Sequence, residues 1–528
     1  MPDGCHALAR MLCAGSWHLR KTPSLKNGGC GFTIMNMKKY PKIIVYGIIL
    51  LFAMSLLHLH TRAAAPEKVY ELWMQYTVIN TEQTGIADVE NAINEICVPR
   101  IGVRIHIVPV FIGNLPAETA YAAASGEKID LVNVGLTNDM STLVSDGLLL
   151  PLDDLLREYG KDALRVTARV ADAQKIGGVT YAVSQYPYAA SCSGFLYNRN
   201  MAEEYGINMH DGMTLEELEA AGEILSEQGI CLTAIGLSSE LSYKFFTSME
   251  TFGEAGNYGV ILDPEEQTQI VNIFASEELK EFYTAIRNWY VKGFLPADPM
   301  LNEPEVLRLF AEQKLFCVPT NVNAGQLGNL TTDSSFTRAI IRTSDILIST
   351  SSVTEFMLGI AASCRNPEAA MKFINLIYED PEVADLLNYG VEGTDYVPVE
   401  GTEHVITREG TPNEDFSRYG SGFTQFGDPL SIRIPAPLTD DYYRELKDWE
   451  EAAHRSGSFG YSFDASDFAV EARSIARIID EYLPILNIGM AENVDAELDA
   501  MNCALEAAGI NEIIAANNEQ LKAYLAGN

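Results

Sequence analysis

Residues 122–132, AAASGEKIDLV, and residues 148–155, LLLPLDDL, decide the fold of this chain. The first run indicates a helix that ends at Gly126 and is followed by a short apolar strand, and the second begins a helix with acidic residues in its first turn. Residues 69–73 and 104–110 are typical of strands, and apolar side chains recur between them at three- or four-residue intervals. This order of elements predicts a parallel α/β sheet.

The length and charge of the chain limit its organisation and its partners. A chain of 528 residues exceeds what one hydrophobic core usually organises. Its formal net charge of −35 arises from 37 Lys and Arg residues against 72 Asp and Glu residues. Such a field repels nucleic acid and anionic lipid headgroups, which proteins bind through clusters of Lys and Arg. We therefore expect at least two domains and no nucleic-acid partner.

A secretion-like segment lies near the start of the chain. Basic residues at 38–42 precede an apolar run at 43–57, which is too short for a typical transmembrane helix, and small residues follow at 63–65. We expect residues 37–65 to be a signal peptide or a retained anchor, and residues 1–36 to be a mis-annotated extension of the start. The segment predicts an exported protein, on the extracellular face of the membrane or in the periplasm.

Six cysteines follow this segment: Cys97, Cys192, Cys231, Cys317, Cys364 and Cys503. The nearest two are separated by about forty residues, which excludes the paired CxxC spacing of zinc sites. We expect small buried thiols and no metal site. The sparse spacing gives no disulfide framework, although it leaves a disulfide open in an exported protein.

The sequence carries no familiar catalytic motif. It lacks a GxSxG elbow, an HExxH pair and a GxxxxGK[ST] loop. His106 alternates within an apolar strand, which is typical of an ordinary strand residue. Adjacent acids such as Asp153 and Asp154 point about 100° apart on a helix. We predict neither an enzyme nor a cofactor, but an acid pair assembled from distant segments stays open.

Three segments near the C-terminus have sequence patterns typical of one protein family: residues 459–464 (FGYSFD), 507–511 (AAGIN) and 518–524 (NEQLKAY). Together with the two runs quoted at the outset, they resemble the extracellular solute-binding proteins of ABC importers. The similarity is to the long, carbohydrate-type members, whose C-terminal extension has no assigned function. Further matches follow in the same order along the chain, including residues 177–183 and 366–373.

The resemblance implies a two-lobed α/β fold of the periplasmic-binding-protein type II, with hinge crossings and a helical C-terminal extension. Residues 66–184 and 355–398 would form the first lobe, residues 185–354 and 399–458 the second, and residues 459–528 a helical region packed on the second lobe. It also implies a monomeric substrate-binding component without catalytic activity. This component would bind a carbohydrate, an oligosaccharide, in the interlobe cleft and deliver it to the membrane permease of an ABC importer.

Two other functions stay open from the sequence. An exported carbohydrate-active enzyme would also hold a sugar, but it would release a changed product. A surface ligand sensor would keep the fold and an N-terminal anchor without serving a transporter. Recovery of the ligand intact would distinguish a binding protein from such an enzyme. A permease gene nearby would distinguish a transport protein from such a sensor.

Binding a neutral polyol requires aromatic faces and polar side chains for the hydroxyl groups. In open α/β sheets these groups lie at the carboxyl ends of strands. Thr137 and Gln185 are at such predicted ends. The candidates that we select there and near the crossings are Trp73, Gln75, Tyr76, Asn138, Asp139, Tyr186, Tyr188, Asn321, Asn323, Glu355 and Asp428. Trp289 and Trp449 fall in helical patterns and are expected in the core.

Overall fold

The fold is taken from a computed structural model of the chain. It describes residues 68–79, 82–135, 137–236, 240–325, 336–422 and 425–527, which all belong to one unit spanning Ala64–Asn528. The predicted extension (1–36) and signal segment (37–65) lie outside the described residues and stay predictions. Within the described part of the chain, no helix is long and apolar enough to cross a membrane.

The described residues form short strands and longer helices. The strands are β1 (Tyr70–Val78), β2 (Val103–Phe111), β3 (Leu131–Val134), β4 (Lys175–Ile176), β5 (Val179–Thr180), β6 (Ala182–Ser184), β7 (Ser191–Asn198), β8 (Glu250–Thr251), β9 (Val260–Ile261), β10 (Cys317–Asn323), β11 (Arg338–Arg342), β12 (Leu347–Ile348), β13 (Met357–Ile360), β14 (Val397–Pro398), β15 (Val405–Thr407), β16 (Ile434–Pro435) and β17 (His454–Arg455). The helices are α1 (Ile86–Ile101), α2 (Leu115–Ser125), α3 (Met140–Ser145), α4 (Asp153–Tyr159), α5 (Lys161–Thr167), α6 (Arg199–Tyr205), α7 (Leu215–Ser226), α8 (Glu277–Val291), α9 (Glu303–Ala311), α10 (Thr350–Thr354), α11 (Pro367–Glu379), α12 (Pro381–Tyr389), α13 (Tyr442–Ala452), α14 (Ala469–Asn487), α15 (Val494–Ala507) and α16 (Ile510–Gly527).

The first sheet has the strand order β2-β1-β3-β13-β6. β1 runs parallel to β2 and β3, while β13 runs antiparallel to β3 and β6. The quoted run folds as predicted: α2 ends at Gly126, which adopts the left-handed conformation (φ 74°), and β3 follows. The α/β prediction is confirmed, and the sheet is mixed because the return strand β13 is antiparallel.

β1 is longer than the sequence pattern predicts. The predicted strand covers residues 69–73, but the strand continues to Val78, because Met74, Tyr76 and Val78 alternate into the core and pair in register with β2. Trp73 is therefore the fourth residue of a nine-residue strand. The predicted position of this strand end is wrong.

The second sheet has the order β10-β7-β12-β17, and β11 also pairs with β7. β7 runs antiparallel to β10, β11 and β12. β10 continues to Asn323. Asn321 and Asn323 therefore lie within the strand, opposite Ser193 and Ser191 of β7.

Each sheet has its own apolar core. In the first, β1, β2 and β13 pack with α1, α11 and α12, and α11 buries Phe373, Ile374 and Ile377 along one face. In the second, β7 packs with α7 and α8, and Trp289 of α8 is fully buried. Trp449 is buried in a third cluster beside the crossing between the sheets. The prediction that both tryptophans belong to a core is confirmed.

The C-terminal helices extend the core of the second sheet. α14 and α15 pack against α8, and Ile475, Ile479 and Leu483 of α14 are almost fully buried. These side chains recur every four residues and so share one face of the helix. The helical C-terminal extension implied by the resemblance is confirmed.

A segment near residue 420 packs against the first sheet. Tyr419 and Phe426 stack on Tyr76 of β1, with ring centroids 5.3 and 6.0 Å away, and Ile432 joins the same core. The sequence-based limits put residues 399–458 in the second lobe. The difference has a physical cause, because the additional length of β1 presents Tyr76 as an apolar surface that this segment covers.

The thiols of the six described cysteines are free. Four are buried, as expected of small apolar side chains: Cys97, Cys192, Cys317 and Cys364. Cys231 is half-buried and Cys503 is exposed on α15, so the expectation of burial is wrong for these two.

Replacing Ile475 by Ala should lower the free energy of unfolding by roughly 2–5 kcal/mol, because the fully buried side chain leaves a cavity. Val470→Ala is the matched control on the same helix, since Val470 is 65% exposed. That change should cost less than about 0.5 kcal/mol. Urea unfolding followed by circular dichroism measures both variants, and equal effects would contradict the packing of α14 in this core.

Candidate functional site

Several strand ends of the first sheet meet at one edge. β13 starts at Met357, which pairs with Val134 at the end of β3 and with Ser184 at the end of β6. The chain leaves the first sheet at this edge after β6 and returns to it just before β13. The polar residues that flank these two strands, Gln185 and Glu355, therefore come close together.

A polar recess of about 10 Å³ lies at this edge. Its polar lining comes from the first sheet, from the two crossings and from the segment near residue 420: Thr77, Asn133, Gln185, Glu355 and Gln425. A single water requires roughly 10–15 Å³ of such space. The recess thus has room for one water-sized group.

Two buried amide atoms of the recess have no hydrogen-bond partner among the described residues: Oε1 of Gln185 and Nε2 of Gln425. Both residues are only 3% exposed. The other end of the Gln185 amide is fixed, because its Nε2 donates to the Val183 carbonyl (3.0 Å) and to the Tyr378 hydroxyl (2.9 Å). A buried polar atom left unpaired costs about 1–3 kcal/mol. Both residues line the recess, so each offers a buried atom that a hydrogen-bonding group could satisfy: an acceptor on Gln185 and a donor on Gln425.

The chemistry of these two atoms selects the kind of group that fits. A hydroxyl both donates and accepts, whereas a carboxylate only accepts and an ammonium only donates. An uncharged hydroxyl is thus the natural occupant, from a ligand or from water. Within the described ranges, no group of three or more His, Cys, Asp or Glu residues is placed to hold a metal ion.

Glu355 directly precedes the return strand region of the first sheet, and the pKa of its carboxyl group is shifted by its surroundings. The residue is exposed as a whole and is one of those that line the recess. Burial of the carboxyl group raises its pKa, and the ammonium of Lys244 partly opposes this rise. Lys244 belongs to the 3₁₀ turn Ser242–Phe245, which packs beside β7 of the second sheet. The recess itself lies at the edge of the first sheet, beside the two crossings that lead to the second sheet.

Tyr186 lies just beyond the recess on the crossing from β6 to β7. The residue is half-buried, and burial raises the pKa of its hydroxyl, which is hydrogen-bonded to Tyr442 of α13. The carboxylates of Glu450 and Glu355 raise this pKa further. Tyr186 therefore offers a neutral hydroxyl and an aromatic face next to Glu355.

Tyr188 follows on the same crossing and adjoins a buried ion pair. The Arg169 guanidinium lies 4.6 Å from the centroid of its ring, a cation–π distance, and Arg169 Nη2 is 2.6 Å from Glu450 Oε2. Burial raises the pKa of Tyr188, and the negative charge of Asp428 raises it further. The structure thus brings the predicted residues Tyr186, Tyr188, Glu355 and Asp428 to one region.

Three other predicted site residues are buried in the first lobe and have partners there. Gln75 Nε2 donates to Thr119 Oγ1 (3.0 Å), and the Tyr76 hydroxyl donates to the Leu387 carbonyl (2.9 Å). Asn138 Nδ2 donates to the Asn133 carbonyl (2.8 Å), which holds the turn after β3. Their exposure of 0–2% leaves no surface for a ligand in this conformation.

Trp73 lies away from the recess. It lies five positions before Val78, the end of β1, which corresponds to about 16 Å along a strand. Its Nε1 donates to Glu71 Oε1 (2.9 Å), and its ring centroid lies 4.5 Å from that of His106. His106 is an ordinary strand residue, with Nδ1 2.9 Å from Glu90 Oε1.

The remaining predicted residues lie on the two flanks. Asp139 is exposed and caps α3 by accepting a hydrogen bond from the Thr142 N–H (2.8 Å). Asn321 is exposed and Asn323 half-buried near the end of β10 that pairs with the start of β7.

Sequence reasoning missed four groups at or beside the recess: Thr77, Asn133, Lys244 and Gln425. Thr77 was missed because the end of β1 was placed too early, and Asn133 because it lies within β3, not after its end. Gln425 lies three residues before the predicted site residue Asp428, which was the nearest signal along the chain. Lys244 lies in a short turn without a periodic pattern, and no local signal identifies it.

Two sheets with separate cores, connected through crossings beside a polar recess, are the architecture of a two-lobed solute-binding protein. The family described as "Bacterial extracellular solute-binding protein" matches residues 100–400. The chain belongs to this family. A domain of unknown function (DUF3502) matches residues 457–526, which contain the three C-terminal helices.

Similar proteins support this assignment. A carbohydrate ABC transporter substrate-binding protein of Streptococcus pneumoniae serotype 4 is 22% identical over 446 residues, covering 82% of this chain and 86% of the relative. The solved N-glycan transport solute binding protein of Streptococcus pneumoniae is 20% identical, with a TM-score of 0.73 over 86% of this chain and 99% of its own. An HMO-binding solute binding protein of Bifidobacterium longum infantis is 14% identical, with a TM-score of 0.60 over 87% of this chain and 99% of its own. These likenesses confirm the two-lobed fold.

Stability should depend on pH through Glu355. Because its pKa is raised by burial, the folded protein keeps this proton to higher pH than the unfolded chain does. The stability that this bound proton gives the folded protein is complete below the ordinary pKa of 4.5, and it is lost as pH rises through the folded-state pKa. Glu355→Gln should therefore gain stability relative to the wild type between about pH 5 and about pH 8.

Urea unfolding at the two pH values measures this change. Glu127→Gln, on an exposed turn, is the matched control and should show the same difference from the wild type at both. A Glu355→Gln difference that does not change with pH would contradict the burial of this carboxyl group.

Proposed function

We propose that this protein binds a carbohydrate, specifically an oligosaccharide, in the cleft between its lobes and delivers it to the membrane permease of an ABC importer. Membership of the extracellular solute-binding family supports the binding role. The similar proteins are named for carbohydrate and N-glycan transport, which supports the class of ligand. They are named as binding proteins, and we propose that this chain likewise releases its ligand unchanged.

The observation that carries the proposal is the pair of unpaired amide atoms in the recess. A sugar hydroxyl that enters it can donate to Gln185 Oε1 and accept from Gln425 Nε2, satisfying two buried atoms at once. Glu355 lies at the same place and can accept from a neighbouring hydroxyl. A charged group would satisfy only one of the two amides and would lose its own hydration.

The proposed contacts are those predicted residues that lie near the crossings, together with the two glutamines of the recess: Tyr186, Tyr188, Asn321, Asn323, Glu355, Asp428, Gln185 and Gln425. Tyr186 and Tyr188 supply aromatic faces for sugar rings. Gln75, Tyr76 and Asn138 support the recess from inside the first lobe, and we leave Trp73 and Asp139 outside it.

We propose lobe limits that follow the two cores. Residues 66–184 and 355–398 form the first lobe, as predicted, and residues 413–434 join them through Tyr419 and Phe426. The rest, including the C-terminal helices, forms the second lobe. A ligand that contacts both lobes only in the closed form shifts an open-to-closed equilibrium, and the permease then recognises the closed form.

We propose that the protein acts outside the cell membrane as a monomer. The family description as extracellular supports this location. Cleavage or retention of the N-terminal segment decides whether the protein is released or stays at the membrane surface. Sequencing the N-terminus of the mature protein distinguishes these two forms.

Thermal unfolding of residues 66–528 against uncharged oligosaccharides, monosaccharides and peptides tests the proposal. The panel includes Man5GlcNAc, which is bound in one solved structure of the Streptococcus pneumoniae protein. A ligand present at a hundred times its Kd should stabilise the folded protein by about 2.7 kcal/mol. The glycan should be recovered intact. A shift only with non-sugars, or a cleaved glycan, would contradict the proposal.

Replacing Gln425 by Leu should weaken glycan binding about tenfold, because the ligand loses a hydrogen bond in a buried site. The same variant without ligand should be as stable as the wild type or more stable, since an unpaired buried nitrogen is removed. Calorimetry and urea unfolding measure the two effects. Gln228→Leu, at an exposed glutamine, is the matched control, and a loss of affinity equal in both variants would remove Gln425 from the site.

Trp73→Ala tests the sequence-based choice against the structure-based one. The distance of Trp73 from the end of β1 predicts unchanged glycan affinity in a folded protein. Weakened binding, measured by the same calorimetry, would return Trp73 to the site.

A further inference from the structure

The C-terminal region of unknown function begins beside the crossing that returns to the first sheet. The match to this region starts at residue 457, and β17, just before it, pairs in parallel with β12. Residues 454–460 therefore run beside residues 346–350. Three N–H groups of the first segment donate to the second: His454 to the Ile346 carbonyl (2.8 Å), Ser456 to the Ile348 carbonyl (3.0 Å) and Gly460 to Thr350 Oγ1 (2.9 Å). Thr350 is the first residue of α10, so the last of these bonds reaches the helix that ends the crossing.

Gly460 lies where three elements meet. Its φ of 88° favours glycine, and a side chain here would collide with the Tyr524 hydroxyl of α16 and lie 2.8 Å from Cβ of Asp172. Gly460 is buried, and a buried backbone N–H requires an acceptor. The Thr350 hydroxyl is that acceptor.

A buried carboxyl group holds the same segment on the second lobe. Glu250 of β8 is only 3% exposed, and its Oε2 accepts hydrogen bonds from the hydroxyl groups of Ser456 and Ser458. Ser456 Oγ also accepts from the Ser458 N–H (3.1 Å), which closes a tight turn. Residues 456–458 are thereby fixed just before the chain reaches α10.

α10 leads directly to the recess, because Glu355, the residue after its last turn, lines the recess together with Phe356. The Val353 carbonyl accepts a hydrogen bond from Ser184 Oγ (2.7 Å). The Phe356 carbonyl accepts one from the Gln185 N–H (2.7 Å). The position of α10 and the position of Gln185, whose Oε1 faces the recess unpaired, are therefore coupled by direct bonds.

The end of α10 also packs on Gly135, another residue that lines the recess. Gly135 follows β3 with φ 94°, and a side chain there would collide with the carbonyl oxygens of Thr354 and Glu355. A displacement of α10 would thus move Glu355 and change the contacts of both Gly135 and Gln185.

We propose that Thr350 is a positioning residue, through which the C-terminal region of unknown function places α10 and so fixes the walls of the recess. Thr350 is not among the described residues that line the recess, and it acts on a ligand through α10. The consequence for glycan binding rests on the proposed function, whereas the effect on α10 does not.

Hydrogen exchange of the intact protein, followed by mass spectrometry, tests the effect on α10. In Thr350→Val, the amides of residues 351–357 should exchange roughly tenfold faster, because valine keeps the shape of threonine but leaves the buried Gly460 N–H without its acceptor. Thr350→Ser keeps the hydroxyl and should stay within about threefold of the wild type. Unchanged exchange in Thr350→Val, or equal acceleration in both variants, would overturn the proposal.

Asn518→Ala is the matched control within the C-terminal region. Asn518 of α16 donates to the Ile270 carbonyl (2.8 Å) and accepts from the Ile270 N–H (3.0 Å), and Ile270 belongs to neither crossing. This variant should leave the exchange of residues 351–357 within about twofold of the wild type, even where global stability falls equally. A tenfold acceleration here too would overturn the proposal, because general loosening of the region would then account for the effect.

Ser458→Ala keeps the test decisive if Thr350→Val does not fold. This variant removes one hydroxyl group from Glu250 and leaves the bond between Gly460 and Thr350 in place. It should accelerate the exchange of residues 351–357 by about threefold, because the segment that holds α10 is less firmly fixed. No acceleration would overturn the proposal.

Calorimetry with Man5GlcNAc as the probe tests the effect on the recess. Affinity should fall about tenfold in Thr350→Val and stay within about twofold of the wild type in Thr350→Ser and Asn518→Ala. Faster exchange with unchanged affinity would overturn the role of Thr350 in placing the recess. If the wild type binds no oligosaccharide, the proposed function fails, and the exchange result still decides whether Thr350 fixes α10.

Discussion

Both backbone polar groups of Ala190 are hydrogen-bonded to side chains of one helix, and the position of the cleft depends on these two bonds. Its N–H donates to Glu450 (2.8 Å), and its carbonyl accepts from the indole N–H of Trp449 (2.8 Å), both on α13. Glu450 is buried and is paired with Arg169 (2.6 Å). Removing one partner of such a pair leaves an uncompensated buried charge, which costs about 3–5 kcal/mol. Because the crossing from β6 to β7 carries Tyr188 next to Ala190, the ion pair fixes an aromatic group of the cleft as well as the chain path.

The recess and the surface charge favour the same kind of ligand. A net charge of −35 repels anions at long range, but it has no such effect on a neutral polyol. At short range, hydrogen bonds to the unpaired atoms of Gln185 and Gln425 would stabilise a bound hydroxyl, and an analogue without that hydroxyl would bind more weakly. A site whose buried polar groups need the ligand to be satisfied discriminates more strongly than an apolar pocket does. In the proposed site, selectivity would therefore come from hydrogen bonding, with Glu355 and Asp428 proposed as further acceptors.

The sequence predicted the elements whose limits are set by local residues. The helix end at Gly126 and the helix start at Asp153 were found because a positive φ and an acidic first turn are local features. The end of β1 was misplaced because pairing with β2, which lies outside the local pattern, extends the strand to Val78. This error brought Trp73 into the predicted site. Gln425 was missed for a related reason, since only tertiary packing brings its segment to the recess.

The strand order of the first sheet also governs when the chain can fold. β13 lies between β3 and β6, but in the sequence it comes after most of the second sheet. The second core includes side chains from α16, the last helix of the chain. Neither half can complete its core from an N-terminal fragment, and contacts between residues distant in sequence form slowly. The first core therefore needs β13 and the second needs α16, so an ordered cleft between the two lobes forms only late in the folding of the chain.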